Sequence, residues 1–229
     1  MRRATARELM DDVVDDVGEL DANLHDIAFA NAAFGGISPV VRALRACGAR
    51  SVLDVGSGAG DVALALVRDG ERRGVPLSVT CLDTSEQMLA IARTAAAGHP
   101  ALRFVHGDGT ALPFADQSFD AVLCTLALHH FEPEPASALL RELRRVARLA
   151  PIVCDLRRSA LALGVTWLWS RTSRNRLTRH DAPLSVRRAY TPGEALALAR
   201  TAGWRAPQVR REAFFRMTLT DGNPPAGAR

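Results

Sequence analysis

The residues best suited to chemistry recur at intervals, each just after a short apolar run. In Ser51-Val-Leu-Asp-Val-Gly-Ser-Gly-Ala-Gly60 the run carries Asp54 and then turns through Gly56, Ser57, Gly58 and Gly60. A turn of this kind lets backbone press against a ligand, and the helix that follows points its free N–H groups into it. Leu77–Asp83 ends in an acid suited to accept both hydroxyls of a ribose. It is followed by Thr84 and a Ser/Thr cap signal ahead of Met88. Leu102–His106 leads into Gly107-Asp-Gly-Thr-Ala-Leu-Pro-Phe114, and Ser118–Thr125 into Leu126-Ala-Leu-His-His-Phe131. A further run ends at Asp155, followed by Arg157 and Arg158. Acids and glycines of this kind can hold a nucleoside, and an imidazole can take a proton at neutral pH. The dinucleotide fingerprint G-x-G-x-x-G fails here, because its third glycine position is Asp61.

Elements must place these tips together. Strands are expected near 51–55, 77–83, 102–106, 119–125 and 151–155, with helices near 60–70, 85–97 and 136–148. Connections of this length join parallel strands by right-handed crossovers, and in such a sheet the strand tips share one ligand-binding edge. In 136–148, Leu139, Leu140, Leu143, Val146 and Ala147 make one face, and Arg141, Arg144, Arg145 and Arg148 are expected on a solvated one. Residues 1–20 read as a flexible arm or short amphipathic helix. Leu24–Phe34 and Val40–Ala46 have helical spacing, giving an N-terminal cover over 1–36. The main domain then covers 37–220. Within it, 157–190 carries eight arginines, Asp181 as its only acid, and Trp167 and Trp169; it is expected to be a lid over the substrate pocket. A helix is expected after the N-cap Thr191, and 221–229 reads as a disordered tail.

This order of motifs resembles the class I S-adenosylmethionine (SAM)-dependent methyltransferases, and within them the small-molecule enzymes of the quinone and polyketide tailoring type. The resemblance is strong from Val52 to Asp155 and looser elsewhere. It implies a Rossmann-like α/β fold: a seven-stranded, mostly parallel sheet with helices on both faces, a helical N-terminal cover and a lid after strand five. It further implies that SAM is the cofactor. The Gly56, Ser57, Gly58 and Gly60 turn would lie under its methionine part and Asp54 near its ammonium. Asp83 would take the ribose hydroxyls, with Thr84 and Met88 flanking sugar and adenine. Asp108 would accept the adenine amino group, with Gly109 and Thr110 beside the ring, and the Leu126 carbonyl would lie near the sulfonium. Asn31 and the Phe34-Gly35-Gly36 turn could reach the carboxylate, although the arginine expected there is missing.

Methyl transfer from a sulfonium is an in-line displacement that needs alignment and, for a phenol-like nucleophile, proton removal. His129 and His130 follow the fourth strand, where an acceptor should meet the methyl group, and His129 is the favoured base. Asp155 would orient it or hold the acceptor, and Arg157 with Arg158 could clamp an anionic oxygen. Metal-assisted methyl transfer calls for a cluster of acids and amides near the acceptor. Asp155 stands nearly alone, so no metal is expected.

Composition sets the outer bounds. The chain has 229 residues, 48% of them hydrophobic and 24% charged, enough for one domain with a sizeable core. Its net charge of +4 is mild, and all 29 basic residues are arginine. No apolar run is long enough for a membrane span, and Met1-Arg-Arg has no apolar segment behind it, so a cytoplasmic protein is expected, without membrane or nucleic-acid partner, as monomer or homodimer. The four cysteines are widely spaced and read as buried hydrophobes. The leading expectation is methyl transfer to a small aromatic or polyketide-like acceptor in secondary metabolism, at oxygen first and carbon next. Two alternatives stand beside it. One is a SAM-binding protein that transfers no methyl group, such as a partner subunit, lyase or cyclase. The other, less favoured, is a nucleic-acid methyltransferase; Thr125-Leu-Ala-Leu128 stands where amino-group base methylases carry Asn/Asp-Pro-Pro-Tyr/Phe.

Overall fold

In the computed structural model, which describes residues 1–33 and 35–222, a seven-stranded sheet carries the chain. Its strands are β1 (Ser51–Val55), β2 (Ser78–Asp83), β3 (Leu102–His106), β4 (Phe119–Thr125), β5 (Ala147–Leu156), β6 (Pro207–Arg211) and β7 (Arg216–Asp221). The order is β3-β2-β1-β4-β5-β7-β6; β7 runs antiparallel to β5 and β6, and the other pairs are parallel. β1 has β2 on one side and β4 on the other, so the chain reverses its direction of winding there. Such a switch point opens a crevice at the strand tips.

The helices are α1 (Val17–Ala33), α2 (Ser38–Cys47), α3 (Asp61–Arg72), α4 (Glu86–Ala95), α5 (Pro133–Val146), α6 (Ala160–Ser170), α7 (Arg176–Arg188) and α8 (Pro192–Thr201). Val52, Leu53 and Val55 are β-prone and buried, as a strand covered on both faces requires. Two apolar cores result. One joins Leu53, Val122 and Val153 to Leu139, Leu140 and Leu143 of α5, and the other joins Val52, Val79 and Leu123 to Leu44 of α2 and Leu66 of α3. Ser85 caps α4 by accepting from the Met88 amide, and Thr191 and Glu194 form a capping box on α8.

Four expectations need restating. The strand expected at 151–155 starts at Ala147, because Ala147 pairs with Phe119, and this ends α5 at Val146. The α5 arginines are not simply solvated. Arg145 donates to the Leu112 and Phe114 carbonyls and pairs with Glu142 and Asp116, while Arg144 pairs with Asp221. The first sixteen residues form neither a free arm nor an amphipathic helix. They run mostly extended, with one 3-10 turn at Leu9–Asp11. Arg3 donates to the carbonyls of Arg188, His129 and Phe131, and the Leu9 and Met10 amides donate to Asp181. Val14 and Leu20 pack with Met88 of α4 and Leu177 of α7. Asp221 and Gly222 of the expected tail are described, Asp221 closing β7, whereas 223–229 and Phe34 lie outside the described residues.

Gly109 is buried where an added methyl would come within 2.7 Å of Val55 Cγ1 and 2.9 Å of Leu139 Cδ1. Gly109→Ala is therefore expected to destabilise the fold by about 1–3 kcal/mol through overpacking. Urea unfolding measures this, and an unchanged midpoint would remove the packing constraint.

Candidate functional site

At the switch point the strand tips border a cavity of about 530 Å³, closed on the other side by the N-terminal segment, α1, α7 and the β6–β7 turn. Asp54, Gly56, Ser57, Gly58, Asp83, Thr84, Met88, Leu126, His129 and His130 all line it. Asp155 lies directly behind His129. Gly60, Asp108, Gly109, Thr110 and Arg157 lie outside this lining.

Each position has a local cause. At Gly56 φ is +70° and an added Cβ would stand 2.7 Å from that of Ala127, so any side chain would collide with the β4 exit. The Gly58 amide donates to Asp83 Oδ2 at 2.8 Å and the Ser85 amide to Oδ1 at 2.8 Å. Each oxygen so engaged keeps a further lone pair. At the tip of β4, Leu126 takes φ +54° while its amide donates to the Cys154 carbonyl, a left-handed geometry that costs a non-glycine residue about 1–3 kcal/mol. This turn is followed by the 3-10 segment Leu128–His130. Asp155 fixes the turn: Oδ2 accepts from the His129 amide at 2.9 Å and Oδ1 meets His129 Nδ1 at 2.7 Å. Contact with His129 and backbone donors lowers the Asp155 carboxyl, even though burial pushes the other way. An ionised carboxylate only accepts, so Nδ1 carries the hydrogen and Nε2 is the ring nitrogen left for a ligand.

His130 is held in the same manner, with Nδ1 at 2.7 Å from Asp11 Oδ1. Both rings face Glu8, whose Oε1 lies 3.7 Å from His129 Nε2 and whose Oε2 lies 3.9 Å from His130 Nε2. Burial pushes the Glu8 carboxyl up to about 7. Neither Glu8 nor Asp11 is marked by local spacing: both lie in an acid-rich stretch some 120 residues before the histidines.

The opposite wall holds a second pair. Arg216, 4% exposed, donates Nη2 to Asn31 Oδ1 at 2.9 Å, while its Nη1 has no hydrogen-bond partner. Asn31 in turn donates to Asp61 at 2.9 Å. The sequence signal for Arg216 was slight, a single arginine beginning the short run Met217–Thr220. Both oxygens of Asp54 are also buried without partners. Buried polar atoms are nearly always paired in a finished structure, and here Glu8, Asn23, Asp54, Ser57, Thr125 and Arg216, each with an unpartnered buried atom, border one cavity.

Outside the lining, Asp108 Oδ1 accepts from the Thr110 amide and hydroxyl, both at 2.8 Å, forming a tight turn just past β3. The Arg157 guanidinium lies 5.6 Å from the Phe215 ring centroid, and Arg158 pairs with Glu194. From the lid, Trp169, Thr178 and Asp181 reach the cavity, whereas Trp167 is half exposed.

Residues 52–149 match the model of a family described as a methyltransferase domain. This segment is thus similar to methyltransferase domains, and its fold is that of the SAM-dependent methyltransferases. The domain is 35% identical over 116 residues to a demethylmenaquinone methyltransferase of Clavibacter sepedonicus, covering 50% of this chain and 44% of that one. It is 38% identical over 97 residues to one of Thermotoga maritima, covering 42% and 38%. The chain thus spans less than half of these curated relatives. A SAM-dependent methyltransferase of Aquifex aeolicus shares the fold, with a TM-score of 0.64 at 20% identity over 88% of this chain and 96% of that one. The seven-stranded sheet and SAM-fold expectations stand; among the described residues no helix is long and apolar enough to cross a membrane.

Asp54 at the tip of β1 supplies a pH test. Burial, reinforced by Asp61 and Asp83, raises its carboxyl to about 8. An unfolded aspartate ionises near pH 4. The folded state therefore holds an extra proton from about pH 4 to about pH 8, and stability falls as pH rises through that window. Asp54→Asn removes this contribution and should flatten the decline between about pH 6 and 8 by up to about 1 kcal/mol per pH unit. Melting temperatures across that range check it, and parallel curves for both proteins would contradict it.

Proposed function

We propose that this chain transfers the methyl group of SAM to a small aromatic acceptor bearing a hydroxyl. The observation that carries the reading is the ring of unpartnered buried polar atoms around a single cavity, with unlike chemistry on its two sides. Asp54 would receive the ammonium of SAM and Asp83 the ribose hydroxyls. Arg216 Nη1, steered by Asn31, would receive the carboxylate and so replaces the arginine that the sequence lacks near Asn31. Asp108, Gly109 and Thr110, one strand beyond Asp83, would border the adenine. The methyl group would then face the cluster of His129, His130 and Glu8, which draws the proton from the acceptor hydroxyl. A phenolate so formed is nucleophilic at oxygen and at the adjacent ring carbon. The relatives' names, one of them a ubiquinone/menaquinone biosynthesis C-methyltransferase of Rickettsia bellii, speak for carbon methylation of a quinone-type ring, and oxygen is the other outcome. Arg157, facing Phe215, would bear on the acceptor only through the β6–β7 turn. The four cysteines are buried and unpaired, in keeping with a reducing cytoplasm.

The direct test incubates methyl-labelled SAM with the protein and an extract of its source cells, then separates small molecules, protein and nucleic acid. Label is expected in the organic-soluble fraction. Label confined to nucleic acid or protein would overturn the acceptor class. Asp83→Ala and Arg216→Gln should each weaken SAM binding about tenfold to a hundredfold, the scale of lost charge-assisted hydrogen bonds; calorimetry with unchanged affinities would remove both from the cradle. His129→Asn keeps a donor for Asp155 but loses the lone pair. It should cut turnover about 10²- to 10⁴-fold with little change in SAM affinity, and full turnover would exclude the imidazole from the chemistry.

A further inference from the structure

The methyltransferase reading leaves unexplained why three groups from distant parts of the chain converge yet fail to bond. Glu8 Oε1 and His129 Nε2 are 3.7 Å apart, and Glu8 Oε2 and His130 Nε2 are 3.9 Å apart. Those gaps are too long for hydrogen bonds, which for N and O close at about 2.7–3.2 Å. They suit a shared ion, since donors each about 2.1 Å from one metal stand roughly 3.0–4.2 Å from one another. All three donor atoms lie within 4.8 Å of one another.

The surroundings are those of metal ligands. A metal-binding imidazole ordinarily gives its second nitrogen to a carboxylate, which fixes ring and tautomer. Both rings here do so, His129 through Asp155 at 2.7 Å and His130 through Asp11 at 2.7 Å. The ring centroids are 4.3 Å apart. With each Nδ1 so engaged, Nε2 is the free nitrogen of both rings, and the two lie within 4.8 Å of each other and of a Glu8 oxygen. Glu8 and His129 are buried, Glu8 Oε1 has no hydrogen-bond partner, and the three side chains border the cavity.

Charge also permits a cation. Arg188 Nη1 is 3.7 Å from Glu8 Oε1, but it is engaged by Asp11 Oδ2 at 2.7 Å, and Nη2 donates to the His130 carbonyl at 2.7 Å. Asp181 binds the Leu9 and Met10 amides and meets His180. Four carboxylates, Glu8, Asp11, Asp155 and Asp181, thus gather here against Arg188 and the outlying His180, while Arg3, on the His129 and Phe131 carbonyls, is paired with Glu132.

We propose that Glu8, His129 and His130 bind one divalent transition-metal ion at the acceptor end of the cavity, leaving coordination positions open toward the acceptor. Two imidazoles and one carboxylate are a donor set for zinc, iron or cobalt rather than for magnesium or calcium. The sequence expectation of no metal rested on Asp155 standing alone; it could not see Glu8 folded back across the histidines. The use of the ion rests on the proposed methyl transfer. An acceptor hydroxyl would coordinate as its anion and release its proton to solvent, so in the metal-loaded site the imidazoles serve as ligands rather than as the base. The binding itself does not depend on that reading.

Cobalt(II) is the probe. The full chain, stripped with chelator, is titrated with cobalt(II) and followed by visible absorption and calorimetry. The expected result is one ion per chain with intensified d–d bands of low coordination number. Glu8→Gln and His130→Ala should each weaken uptake about tenfold or more, and Asp11→Asn about tenfold as a supporting partner. Far-UV circular dichroism and melting temperature confirm that each variant folds. Absence of stoichiometric uptake, or uptake in all three variants unchanged from the parent protein, overturns the site. Cobalt uptake without labelled product would refute the methyl-transfer reading and leave the site standing; methylation by a chain that takes up no cobalt would do the reverse.

Discussion

A sheet buried on both faces leaves only its strand tips free for chemistry, and the rest of this molecule follows from that constraint. β1 lies at the centre of the parallel strands, so Asp54, the glycine turn and the β4 exit share one edge at the switch point. The tips are deep enough that charge there is costly. Asp54 and Asp155 are both buried, yet their carboxyls move in opposite directions, Asp54 upward for want of a partner and Asp155 downward through His129 and backbone donors. Local partners, not depth, decide which acid is already committed and which is left for a ligand.

The cover over this edge is assembled from the start and the end of the described chain. The N-terminal segment crosses the mouth, held by Arg3 and Asp181, and brings Glu8 and Asp11 to the histidines. β7 brings Arg216 to Asn31 of α1. These pieces come together only when the whole fold is formed, so the two sides of the cavity are assembled with it. α6 adds an apolar wall, with Trp169 and Val165 at the cavity and Leu161 and Leu168 exposed on it.

The parts legible in the sequence are those encoded locally. Apolar runs ending in Asp54, Asp83 and Asp155 marked three strand tips, and the Leu139, Leu140, Leu143 and Val146 spacing marked the buried face of α5. The His129–Asp155 pairing could be anticipated because both residues close adjacent parallel strands. Glu8, Asp11 and Arg216 could not be found this way. Their roles come from contacts across 119 residues for Asp11 and His130 and 185 for Asn31 and Arg216, and no periodicity records such a pairing. The same limit applied to Arg145, whose place on the outer face of α5 gave no hint of the loop carbonyls it binds.

The central claim is that one cavity binds SAM along the β1–β2 tips with its methyl group toward the His129 cluster. A crystal structure with S-adenosylhomocysteine tests it most directly. The account predicts ribose hydroxyls within hydrogen-bond reach of Asp83, the amine on Asp54, the carboxylate on Arg216, and the sulfur facing His129 across open space. A nucleoside bound elsewhere, or one in this cavity with its sulfur turned away from His129, would contradict it.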